Sequence, residues 1–177
     1  MSRLDSFFTI EYGDHTINAK EDLDRGSTIV ISSQGVDNGC YGFYDVEAKY
    51  QPPVISVPRT GSIAEAFVQL HPCDIDDNCL VLKPKEHLPL EYLFYIAAAI
   101  RREKWRYLYG RQVTPYRLGK LEVAPKEYFT PFLSYSKLAQ DKTPIKNNVE
   151  ELPKKNIQLR NFNITVISFR ERSLSCD

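Results

Sequence analysis

Runs of β-branched residues bounded by turn formers, then one stretch with apolar residues three and four apart, set the outline of this chain. Ser27-Thr28-Ile29-Val30-Ile31-Ser32-Ser33, between Gly26 and Gly35, predicts a strand. Val54–Val57, ending at Pro58, predicts a second, and Ala66–Leu70 and Cys79–Leu82 predict two more across an acidic turn at Asp74-Ile75-Asp76-Asp77-Asn78. From Pro89 to about Tyr107 the period changes. Leu93, Ile96, Ala97 and Ile100 form a core-facing helical stripe, Pro89 and Glu91 suit a first turn, and the closing basic cluster suits a last one. Leu118 to Ala124 predicts a closing strand before Pro125, residues 128–140 a short helix, and Ile164–Phe169 a late strand after a polar linker over 141–160. Leu4 to Arg25 reads as irregular structure around the apolar patch of Phe7, Phe8 and Ile10. Strands, a long helix (about 89–107) and further strands define an α+β fold. The expected core is a mixed or antiparallel sheet, in a domain over 1–127 with a C-terminal extension over 128–177.

Composition narrows the class. At 177 residues, with 42% hydrophobic and 12% aromatic content, the chain can bury a core and is no disordered polymer. Its apolar run from Leu93 to Ile100 covers 8 residues, where a membrane span takes about 20. The Met1-Ser2-Arg3-Leu4-Asp5 start lacks the layout of a signal peptide, so a soluble cytoplasmic protein without a membrane partner is expected. Cys40, Cys73, Cys79 and Cys176 are scattered as free thiols would be, not as a disulfide frame. A net charge of zero conceals a division: residues 1–91 hold 7 Lys/Arg against 15 Asp/Glu, residues 92–177 hold 16 against 8. A surface for a polyanion is therefore expected to be local and to lie in the second half.

The richest stretch, Arg101 to Arg117, packs six Lys/Arg and four aromatics into 17 residues with one acid. Arg101, Arg102, Lys104, Arg106 and Arg117 are candidates to hold phosphates, since cations displace the counterions of a polyanion. Arg forks and planar rings meet bases and sugars. Two polar loops follow strands. In the first, Gln34 and Asn38 carry amides that can pair with adenine; in the second, Arg59 can pair with guanine. Tyr41, Gln112 and Thr114 join the candidates on the same chemistry. Each of these residues, taken singly, also fits an ordinary turn or a solvated helix face. Catalytic signals are thinner. His71, Cys73 and Cys79 lack paired zinc-ligand spacing. Glu47-Ala48-Lys49 supplies the Glu-x-Lys half of a Mg²⁺-dependent PD-(D/E)xK nuclease signature, with Asp22, Asp24 or Asp37 to complete it. No glycine-rich cofactor loop or Ser-His-Asp pattern occurs, so no catalytic residue, metal or cofactor is assigned. A nuclease and a pure protein-interaction module stay open as alternatives.

The ordered series of motifs resembles the target recognition domain of restriction–modification DNA specificity subunits, of the type I or fused type IIG-like kind. It begins with Leu4-Asp5-Ser6-Phe7-Phe8 and Tyr12-Gly13, then Ile29–Ser33 followed by Asp37-Asn38-Gly39-Cys40-Tyr41-Gly42-Phe43. Val54–Pro58 with Arg59-Thr60-Gly61-Ser62, Asn78–Lys85, Arg106–Val113 with its Tyr109-Gly110-Arg111, and Leu118–Pro125 complete it. The resemblance spans about residues 4–127. It implies a non-catalytic α+β module that reads a short double-stranded DNA site for partner DNA adenine methyltransferase and restriction subunits. It adds Asn38, Arg59, Ser62, Tyr109 and Arg111 as contacts. Such subunits commonly hold two such domains and a helical spacer. This chain has room for one and shows no heptad spacer, which leaves a half-subunit that pairs with itself, a domain excised from a larger enzyme, or a degenerate relic.

Overall fold

The computed structural model describes residues 1–108 and 110–128. In chain order the strands and α-helices are β1 (Ser2–Arg3), α1 (Leu4–Phe7), β2 (Phe8–Tyr12), β3 (Arg25–Ile31), β4 (Cys40–Tyr44), β5 (Val54–Pro58), β6 (Phe67–Gln69), β7 (Cys73–Ile75), β8 (Cys79–Pro84), α2 (Leu90–Arg102), α3 (Pro115–Gly119) and β9 (Glu122–Val123). Elements expected beyond Tyr128, and Tyr109 itself, lie outside the described residues.

The strands form three sheets. An antiparallel sheet has the order β2-β8-β5-β6, a mixed sheet has the order β4-β3-β7 with β3 and β7 parallel, and β1 pairs with β9. The central strands of the four-stranded sheet, β5 and most of β8, are buried on both faces. Ile55, Val57, Leu80 and Leu82 pack with Leu93, Ile96 and Ile100 of α2. Val54, Cys79 and Val81 point the other way and meet Ile31, Cys73 and Ile75 of the mixed sheet. Double burial explains why β5 and β8 read as continuous apolar runs. The result is the expected α+β class, with helix, antiparallel sheet and mixed sheet as successive layers.

Some boundaries differ from expectation, each for a physical reason. The helix stops at Arg102 and a 3₁₀ turn follows over Lys104–Tyr107, because the apolar stripe through Ile96 and Ile100 would next fall on Glu103 and Lys104. The strand expected over 118–124 shrinks to Glu122–Val123, since Thr114 caps α3 by accepting from Arg117 N–H at 3.3 Å and Pro115 opens its first turn. The N-terminal region holds strand β2, paired with β8 from Phe8↔Pro84 to Tyr12↔Leu80. The acidic turn begins with a strand, β7, beside β3.

Gly13 sits where β2 runs into that turn. Its N–H reaches Cys79 O at 3.1 Å, and a Cβ there would drive into the Asp76 carbonyl and stand 2.5 Å from Ile75 O. Backbone on both sides cannot yield. Gly13→Ala is expected to destabilise the domain by about 2 kcal/mol, within the usual overpacking range. A denaturant midpoint equal to wild type would contradict it.

Candidate nucleic-acid interface

The segment after α2 alternates buried anchors with exposed charged and planar groups. Tyr107, Val113, Leu118 and Leu121 belong to the main core. Between them Trp105 is 59% and Tyr116 69% exposed, and Arg106, Arg111 and Gln112 face solvent. This spacing pins a short chain to the sheet–helix core while displaying its polar side chains.

Two open pockets flank the segment. One, of about 470 Å³, has a floor of Tyr107 and Leu121 and a rim of Arg106, Arg111, Tyr116, Arg117 and Lys120. The other, of about 800 Å³, brings Gln34 from the loop after β3 and Ser62 from the loop after β5 together with Lys104 and Leu108. The two strand-end loops are tied by Ser62 N–H to Ser33 O at 3.1 Å, with Gly61 at φ 56° making the turn. The 3₁₀ turn contributes to both pockets, Lys104 to one and Arg106 with Tyr107 to the other.

Internal carboxylates neutralise much of the basic segment. Glu65 lies 2.8 Å from Lys104 and 3.6 Å from Arg101, whose guanidinium also covers the Phe67 ring at 4.5 Å. Glu103 lies 2.7 Å from Arg106 and 3.5 Å from Arg102. Arg117 donates to Gln112 O at 3.3 Å, and Lys120 donates to the Tyr116 hydroxyl at 2.5 Å. That ammonium holds the Tyr116 phenol below its ordinary range.

Other candidates lie apart from these pockets. Asn38, left-handed at φ 55°, donates to Gln69 Oε1 at 2.9 Å, and Gln69 donates back to Asn38 O at 3.0 Å. It lines a separate pocket with Cys40, Leu70 and Phe94. Arg59 donates to Asp77 O at 2.9 Å and stacks 4.7 Å from the Tyr12 ring centre. Tyr41 stacks with Tyr44 at 6.2 Å, and the Lys20 ammonium lies 5.0 Å from its ring centre. Thus Gln34, Ser62 and Lys104 meet in one place, and Arg106, Arg111 and Arg117 in another. Lys120, Tyr116 and Glu65 are additions to the sequence-derived set. The Thr114-Pro115 helix start is the available signal for the first two, because it places Tyr116 and Lys120 one turn apart.

Of the residues of the nuclease alternative, Lys49 pairs with Asp14, and Asp22, Asp24, Asp37 and Glu47 are exposed. Among the described residues no three His, Cys, Asp or Glu side chains group as metal ligands. Cys73 and Cys79 are buried, and burial pushes the Cys73 thiol up to about 12. No helix among the described residues is long and apolar enough to cross a membrane.

Two solved structures resemble the arrangement of helix, antiparallel sheet and mixed sheet described above. The chain is similar to the type I restriction–modification system S subunit from M. genitalium, with TM-score 0.55 and 13% identity over 86% of this chain and 40% of that one. It is also similar to the HsdS subunit from Thermoanaerobacter tengcongensis, with TM-score 0.51 and 14% identity over 89% of this chain and 39% of that one. The chain therefore shares their fold and spans about two-fifths of the length of each. No protein-family model and no curated protein matches it.

Proposed function

We propose that residues 1–127 form a non-catalytic module that recognises a short sequence in double-stranded DNA for a cytoplasmic restriction–modification system. Methylation and cleavage then belong to partner subunits. The observation that carries this reading is the shared 3₁₀ turn. Through it, the polar strand-end loops at Gln34 and Ser62 adjoin the basic segment from Lys104 to Lys120. Polar loops read base edges, and cations hold the backbone that positions them. The fold shared with the two S subunits supports the same assignment.

The test is selection from random duplexes by the protein together with its methyltransferase partner. A short motif is expected to be enriched. Gln34→Ala and Ser62→Ala are each expected to relax preference at one base position by about 1–3 kcal/mol, leaving other positions unchanged. Recovery of duplexes without any preference, from a complex that is properly assembled, would overturn the reading.

A further inference from the structure

We propose that the pocket rimmed by Arg106, Arg111, Tyr116, Arg117 and Lys120 is the seat of one backbone phosphate of a nucleic acid strand, whose sugar lies over Tyr107 and Leu121. The proposal deepens the DNA-recognition reading and rests on it. Charge is the first argument. Arg101 and Lys104 share Glu65, and Arg102 shares Glu103 with Arg106. Arg111, Arg117 and Lys120 meet no carboxylate within ion-pair distance among the described residues, so Glu103 is the one acid set against four cations. The basic segment thus concentrates its uncompensated positive charge at this pocket. Cations already paired inside the protein gain less from a phosphate, because each must first give up a carboxylate.

Preorganisation is the second argument. The Arg117 fork is held by Gln112 O, which occupies one N–H and leaves the others for a ligand. The Tyr116 oxygen accepts from Lys120, so its own hydroxyl proton is available to a phosphate oxygen. The third argument is the floor. Tyr107 and Leu121 are buried, mostly apolar and fixed in the core. An inorganic ion has nothing to place there, whereas a sugar-linked phosphate does.

The test uses the full chain and its selected duplex. Wild type and the triple variant Arg111→Gln/Arg117→Gln/Lys120→Gln are titrated with selected and scrambled duplexes across a salt series. The variant is expected to bind both duplexes at least tenfold more weakly, by the same factor. Its salt slope should fall by about one, as for one phosphate lost. A neutral methylphosphonate scanned along the duplex should weaken wild type at one position and leave the variant unchanged there. Unaltered duplex binding by the variant, or no position that couples to it, overturns the seat while the recognition reading stands. If wild type holds no duplex, the recognition reading fails, and the backbone assignment fails with it. Inorganic phosphate, followed through the Arg111 and Arg117 Nε–H resonances, separates the two sources. Saturation at micromolar phosphate would make this a free-anion site and overturn the proposal; shifts absent or only at tens of millimolar are expected.

Discussion

Replacing Lys20 by Met is expected to destabilise the domain by about 3–5 kcal/mol, the usual effect of removing one partner of a buried ion pair. The Lys20 side chain is 8% exposed, and its ammonium lies 2.5 Å from a carboxylate oxygen of Asp76, which is wholly buried. The same oxygen accepts from the Ser32 hydroxyl at 2.6 Å, and the other accepts from Asn78 N–H at 3.2 Å. Asp76 thereby joins the turn at Lys20–Asp22, the end of β3 and the entry to β8. Without Lys20 these neutral donors remain, but the buried charge is uncompensated. Asp76→Asn alone strands an ammonium, whereas Lys20→Met/Asp76→Asn removes both charges and should cost less than the two single changes together. Denaturant titration at neutral pH measures all three variants. A loss below about 1 kcal/mol for Lys20→Met would place the pair with weak surface bridges and refute its structural role.

That pair also explains which parts of the fold are legible in the sequence. Strands β5 and β8 and the first three turns of α2 are apolar where they touch the core, so local pattern suffices. Strand β7 is hidden because Cys73-Asp74-Ile75 begins an acidic run, and local chemistry makes such a run a turn. What lets Asp76 enter the interior is Lys20, 56 residues away. The candidate site divides in the same way. The cations and rings of residues 101–117 are visible in sequence, but that Lys104 alone of these cations lines the pocket of Gln34 and Ser62 is not. Which cations are neutralised is not visible, because Glu65 precedes the helix by many residues and reaches them only through the fold. Asn38 reads as a free amide in its loop, but Gln69, a residue of β6, holds it.

Asp74→Asn is expected to stabilise the domain at neutral pH by about 3 kcal/mol, and to lose that advantage in acid. Asp74 is 1% exposed; one carboxylate oxygen accepts from Ile75 N–H at 2.9 Å, and the other is buried without a hydrogen-bond donor among the described residues. Burial raises its pKa from 3.8 to about 6; Ile75 N–H and Lys49 pull it down, and neighbouring Asp14 adds to the rise. Asp14 behaves in the opposite sense. Burial pushes it up, but Lys49 and the N–H and hydroxyl of Thr16 outweigh that and hold it at about 2. A folded-state pKa above the unfolded value means that the native protein keeps a proton the unfolded chain has released. Through Asp74, stability therefore falls as pH rises from about 4 to about 6. The slope is about 1.36 kcal/mol for each pH unit between the two values, or about 3 kcal/mol in all. Through Asp14, stability instead falls as pH drops from about 4 to about 2. The two effects place a stability maximum near pH 4 in the contribution of this pair. Asparagine keeps the acceptor for Ile75 N–H and offers Asp14 a permanent N–H donor, so the decline between about pH 4 and about pH 6 disappears and the decline below about pH 4 stays. Denaturant midpoints of wild type and Asp74→Asn from pH 3 to pH 8 should coincide at the acid end and separate above pH 4, with the variant higher. Parallel curves, or a variant weaker at pH 7 than at pH 4 relative to wild type, would mean that Asp74 is charged and satisfied in the native state.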